Sequence, residues 1–144
     1  MRTGSVARKR YVLDTSALFT LIEEEAGVDR VEEIVSTENA YLPSLALLEV
    51  HYVTRQERGQ GEADRRYALL KKLPCEIVWQ VDEPTLLTAS LFKAAHRLSL
   101  ADALIAAIAH RHDAVLIHKD PEYSALADEI ELEALPYKVP PKSP

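Results

Sequence analysis

Four acidic residues, Asp14, Glu49, Asp102 and Asp120, stand where a chain of alternating strands and helices would gather its chemistry. Asp14 ends the apolar β-type run Tyr11-Val12-Leu13, and Thr15, Ser16 and the apolar helix opening Ala17 to Ile22 follow it. Asp120 comes two residues after His118, at the end of the most continuous apolar run in the sequence. Glu49 falls in the early turns of a helix expected after Pro43, and Asp102 in the first turn of a helix that Ser99 would cap. In an open α/β sheet, ligands bind beyond the carboxyl ends of the strands, which is where all four acids are expected. Ionised carboxylates brought together there repel by roughly 4 kcal/mol per pair at ~4 Å and an effective dielectric near 20. They must either keep protons or hold a cation. Donors that are all oxygen select hard cations such as Mg2+ or Mn2+, which also bind phosphate oxygens.

Each acid also has a plain structural explanation. Asp14 can favour the start of the first helix through its charge, with Thr15 or Ser16 as the expected N-cap. Ser99-Leu100-Ala101-Asp102 has capping-box spacing, with Asp in place of the usual Glu or Gln. Glu49 can be a solvated helix acid, and Asp120 beside Pro121 a turn residue. Their joint placement at one sheet edge favours a shared cleft. Glu23-Glu24-Glu25 and Glu129, Glu131 and Glu133 lack that placement and read as solvated. His110 and His112, two apart on a helix, point in different directions, and His51 and His96 form no constellation. The sequence has no Gly-rich phosphate loop, no Ser–His–Asp order and no Cys/His zinc spacing.

The elements that must position these residues read as strands at residues 11–13, 39–42, 76–79, 114–118 and 130–135. Helices are expected after the first strand and at 28–37, 45–58 (with Ser44 as cap), 62–73, 84–97 and 99–112, and a helical turn at 122–127. Tyr41 and Trp79 read as strand packing residues and Cys75 as core, with Arg65, Arg66, Lys71 and Lys72 on the outer side of their helix. Strands alternating with helices imply right-handed crossovers. The expected architecture is α/β: a three-layer α/β/α sandwich with a mainly parallel sheet of about five strands.

At 144 residues the chain fits a single domain, taken as residues 10–136 between a flexible basic tail (1–9) and a disordered Pro-rich tail (137–144). The formal net charge of −6 weighs against nucleic-acid binding unless a bound cation alters the local field. A single cysteine, Cys75, rules out an internal disulfide and suits a cytoplasmic setting. No apolar run is long enough to span a membrane.

The ordered set Val12-Leu13-Asp14-Thr15-Ser16, Leu42-Pro43-Ser44 leading to Glu49, Leu98 to Ala106 around Ser-Leu-Ala-Asp-Ala, and Val115 to Asp120 resembles the PIN domain. Within that family it resembles the VapC-type toxin ribonucleases of toxin–antitoxin pairs. The resemblance implies a metal-dependent endoribonuclease in which Asp14, Asp102 and Asp120 hold one or two Mg2+ or Mn2+ ions. Glu49 would complete the cluster as a ligand or water-orienting group, and Ser16 would hydrogen-bond a water or an acid. It further implies an RNA substrate, products with 5′-phosphate and 3′-hydroxyl ends, a homodimer, and a small cognate antitoxin that presents Arg to the acids. One position departs from the pattern: His118 stands where many relatives carry Thr or Ser, and is expected to contact a phosphate or simply end the strand. Lys119 and the helix residues Arg55, Arg58, Arg65 and Arg66 are the basic candidates for RNA contact, and Lys119 could instead partly neutralise the acids. Two alternatives remain open: a PIN-like fold kept as a catalytically inactive protein-binding module, and a phosphatase using Asp14 as nucleophile. Ser16, where such phosphatases carry a second Asp, speaks against the latter.

Overall fold

The computed structural model describes residues 8–137. Five strands run parallel in one sheet: β1 (Tyr11–Leu13), β2 (Ala40–Pro43), β3 (Glu76–Val78), β4 (Val115–His118) and β5 (Leu132–Ala134). Their spatial order is β3-β2-β1-β4-β5, so β5 is an edge strand as its alternating sequence suggests. Six α-helices connect them: α1 (Thr15–Glu23), α2 (Val28–Ser36), α3 (Ser44–Arg58), α4 (Gln60–Lys71), α5 (Glu83–Ala95) and α6 (Leu100–Arg111). The chain moves from β1 outward to β2 and β3, then returns through α5 and α6 to β4 on the other side of β1. Right-handed crossovers therefore put α1 to α4 on one face and α5 and α6 on the other. The reversal of strand order lies between β1 and β4, and the crevice at their carboxyl ends is the topological switch point where open α/β sheets bind ligands.

The core follows from the sequence pattern. Val12, Leu13, Leu116 and Ile117 on the two central strands are fully buried, as expected for a sheet covered on both faces. The Ala-rich α6 buries Ala103 and every residue from Ile105 to Ala109, its small side chains letting the helix lie close to the sheet. Gly27 takes φ +98 as the residue before α2, and a Cβ there would come within 3.0 Å of Pro136, so both conformation and space demand glycine.

Several local expectations change. Asp14, rather than Thr15 or Ser16, is the N-cap of α1. Pro43 occupies the position before α3, so Ser44 is its first residue, and its Oγ donates to the Trp79 carbonyl at 3.2 Å. Only Gly59 interrupts the α3–α4 pair, because Gly61 lies inside α4. β3 stops at Val78, which leaves Trp79 exposed rather than packed. Cys75 is half-buried beside the core.

Charged residues differ most. Arg66 is buried, because α4 turns the stripe Ala63, Arg66 and Leu70 inward. Its guanidinium reaches Glu62 (2.9 Å), Glu23 (3.3 Å) and Thr54 (3.3 Å). Glu23 and Glu25 are therefore not simply solvated: Glu23 pairs with Arg66, and Glu25 accepts from Lys119 Nζ at 3.2 Å. Glu133 holds Arg30 through two bonds of 2.7 and 2.9 Å, and Glu131 pairs with Lys9 at 3.1 Å. The expected N-terminal tail thus reaches the described fold at Lys9. Residues 1–7 and 138–144 of the two tails lie outside the described residues. Among the described residues, no helix is long and apolar enough to cross a membrane.

Candidate active site at the carboxyl edge of the sheet

β1 delivers Asp14 to the switch point. As N-cap, its Oδ1 accepts from the Ala17 N–H at 2.8 Å and from Ser16 Oγ at 2.7 Å, while its own N–H bonds to the Ile117 carbonyl of β4 at 3.2 Å. Ser16 Oγ in turn accepts from the Lys119 N–H at 2.9 Å. One hydroxyl thereby ties the end of β1 to the end of β4 and brings Asp14 and Asp120 to one crevice. Only 3% of Asp14 is exposed, and burial, with Asp102 and Asp120 adding their repulsion, pushes its carboxyl up to about 7.

Asp102 sits in the first turn of α6, where Ser99 caps the helix by accepting from the Asp102 N–H at 3.0 Å. Burial raises its pKa, and Asp120 raises it further. Asp120 caps the 3-10 turn Pro121–Leu126 by accepting from the Glu122 N–H at 2.9 Å. That turn folds Glu122 back, so that ligand atoms of Asp102, Asp120 and Glu122 all lie within 4.8 Å of one another. Glu49 stands one residue removed: its Oε1 accepts from Thr15 Oγ1 at 2.6 Å. The plain structural readings of Asp14 and Asp120 as caps are thus correct descriptions of their local bonds, but they do not account for the clustering.

Glu122 and Tyr123 are the neighbours that sequence reasoning missed. Tyr123 is fully buried and donates its hydroxyl to Asp102 Oδ1 at 2.9 Å. The only signal for it was one large aromatic in the otherwise polar run Pro121-Glu122-Tyr123-Ser124. His118 ends β4 with 2% exposure, so it does not present itself to a phosphate. Its Nδ1 accepts from the Asp120 N–H at 3.1 Å, and burial lowers its pKa, keeping the ring neutral. A Ser or Thr hydroxyl makes the same bond to the residue two positions on in a side-chain turn, so the imidazole substitutes for one here. Lys119 has a side chain 4% exposed and ion-paired with Glu25, which removes it from the RNA-contact candidates and from neutralising the cluster. Arg66 is likewise consumed in its buried network.

Among the described residues, no Lys or Arg pairs with Asp14, Asp102 or Asp120. An oxygen-only donor set, with the Asp14 and Asp102 carboxyls pushed up by burial and no Lys or Arg partner, suits a hard divalent ion. The PIN domain family pattern matches residues 11–129, a span that includes each of these acids. The chain belongs to the PIN domain family.

Solved structures give the same fold. A chain of VapBC2 from Rickettsia felis, bound to a DNA fragment from its promoter, is 15% identical with a TM-score of 0.73. It covers 88% of this chain and 98% of its own length. A chain of DNA-bound VapBC from Salmonella typhimurium is 16% identical at a TM-score of 0.70, with coverage of 88% and 98%. The sarcin-ricin loop cleaving toxin VapC20 of Mycobacterium tuberculosis is 17% identical at 0.67, with coverage of 88% and 99%. No curated protein sequence is significantly similar to this chain. The five-stranded parallel PIN fold expected from the residue pattern is therefore the observed one.

Proposed function

We propose that this PIN domain is a metal-dependent endoribonuclease, cleaving RNA by water attack on a phosphodiester, and the toxin of a toxin–antitoxin pair. The observation that carries the reading is the cluster at the switch point: Asp102, Asp120 and Glu122 within 4.8 Å, with buried Asp14 close enough to feel both aspartates. Asp14, Asp102 and Asp120 would hold Mg2+ or Mn2+, with Glu122 beside them. When bound, the ion lowers the pKa of a water and offsets charge on the phosphate. The protein's own part is positional. Ser16 fixes the Asp14 carboxylate against the β4 end, and Thr15 holds Glu49 at the margin of the cleft, where it can orient a water.

Partners follow from the same surface chemistry. An uncompensated acidic cleft suits an antitoxin segment presenting Arg, whose guanidinium forms two parallel bonds to a carboxylate. The Rickettsia and Salmonella structures are complexes of this kind of pair by name. α5 leaves Leu86, Leu87 and Leu91 between 54% and 64% exposed, an apolar face suited to a second copy of the chain in a homodimer. A cytoplasmic site of action fits an RNA substrate. The phosphatase alternative is weakened because both donors at Asp14 Oδ1 hold the carboxylate as a cap.

The test is cleavage of a structured RNA pool by the antitoxin-free protein, with Mn2+, with chelator, and with Asp102→Asn. Cuts that need the ion, carry 5′-phosphate ends and fall by at least about a hundredfold in the variant are expected. Equal cutting by variant and wild type would overturn the reading. A protein that binds Mn2+ but cuts no RNA in any lane would favour the inactive binding module.

A further inference from the structure

The carboxylates of the cluster differ in how they are held. Asp14 is fixed by the Ala17 N–H and the Ser16 hydroxyl, and Asp120 by the Glu122 N–H, all donors within two or three residues of the acid they hold. Asp102 lies on a helix, where the Ser99 hydroxyl accepts from its backbone N–H and also adjoins its carboxylate. The stronger hold on its side chain is Tyr123, through the 2.9 Å bond to Oδ1. Tyr123 cannot itself shift. It is fully buried, sits inside the 3-10 turn that Asp120 caps, and meets the His118 ring at 5.1 Å with a 60° tilt. His118 in turn accepts the Asp120 N–H at 3.1 Å, and Tyr137 adjoins its ring at 6.2 Å. The two rings therefore contact both sides of the acidic pair, one through the Asp102 side chain and the other through the Asp120 backbone.

We infer that Tyr123, braced by His118, is a positioning residue that sets the Asp102 carboxylate in the orientation that accepts a divalent cation. Hydrogen-bonding partners that orient ligating side chains commonly contribute 10–100-fold to metal affinity. The aromatic scaffold alone does not supply this, because a phenylalanine would fill the same space and take the phenol donor away from Asp102 Oδ1. The inference rests on the metal-centre reading above.

The experiment compares Mn2+ affinity, followed by the EPR signal of the free ion, in the full chain and in Tyr123→Phe. Leu126→Val, which loosens the same buried turn without a polar group, serves as the packing control. The expected result is a dissociation constant raised about tenfold or more in Tyr123→Phe and within about twofold of wild type in Leu126→Val. Unchanged or tighter binding in Tyr123→Phe, or equal weakening in both variants, would overturn the positioning role. Wild-type protein that takes up no Mn2+ would overturn the metal-centre reading itself, and this inference with it.

Discussion

At the scale of single residues, Asp14 stands out as a carboxylate the fold makes hard to ionise. Its unfolded-state pKa is near the ordinary 3.8 and its folded one about 7, so between those values the folded protein binds the extra proton. Stability of the metal-free protein therefore falls as pH rises through that window, by up to about 4 kcal/mol, and stops falling above it. Asp14→Asn keeps an acceptor for Ala17 and Ser16 but carries no charge to desolvate. In chelator, urea unfolding should find the variant more stable than wild type by several kcal/mol at about pH 8, with the difference shrinking towards about pH 4. A variant less stable than wild type at the higher pH would show that Asp14 is not strained by burial. Such a stability cost at one residue is what a site kept for ligand rather than for folding exhibits.

The same scale shows what could be read from residues alone. Asp14, Asp102 and Asp120 were legible because strand ends and helix starts are marked by apolar runs and capping residues, and the topology gathers those positions at one edge. Glu122 and Tyr123 were not, because their approach depends on a 3-10 turn whose path no periodicity encodes. The side-chain turn of His118 was equally hidden. A histidine at that position looks like a departure from the pattern until the Nδ1 bond to the Asp120 N–H is seen.

At the scale of elements, buried charge joins the helices. Arg66 on α4 reaches Glu23 at the end of α1 and Thr54 on α3, so one guanidinium links three helices on one face of the sheet. Its place in the buried stripe Ala63, Arg66 and Leu70 was legible in principle, since the three share a helical face. Its sequence neighbours Arg65, Lys71 and Lys72 made an outward reading natural. Arg66→Ala would take the shared guanidinium from Thr54, Glu23 and Glu62, although Arg58 still faces Glu23 at 3.8 Å and Arg65 still holds Glu62. Losing these charge-assisted bonds is expected to cost about 1.5–3 kcal/mol in urea unfolding. Because none of the network's bonds reaches Asp14, Asp102 or Asp120, Mn2+ affinity of the folded variant should stay close to wild type. A cost below ~1 kcal/mol would mean the network is solvated in solution.

At the scale of the whole molecule, the net charge of −6 and the switch-point cluster stand against the RNA substrate proposed above unless a cation intervenes. The best-placed basic side chain, Lys119, is committed to Glu25, and Arg66 to its own network, so the cleft itself supplies little positive potential. A divalent ion bound there would reverse that local sign, so under the proposed function RNA affinity is expected to rise on Mn2+ addition. The parallel sheet and its strand order were legible because β-branched runs alternate with helical stretches, and the right-handed crossover rule leaves few alternatives. The exposure of Trp79 was not, because a strand's last residue cannot be fixed from sequence to better than a position or two.

The most direct measurement is the anomalous difference map of crystals of the free protein soaked in Mn2+. The account predicts a peak bonded to carboxylate oxygens of Asp102 and Asp120, with Asp14 adjoining and Tyr123 still bonded to Asp102. Saturating Mn2+ that leaves this crevice empty, in crystals of protein that still cuts RNA in an ion-dependent way, would contradict it.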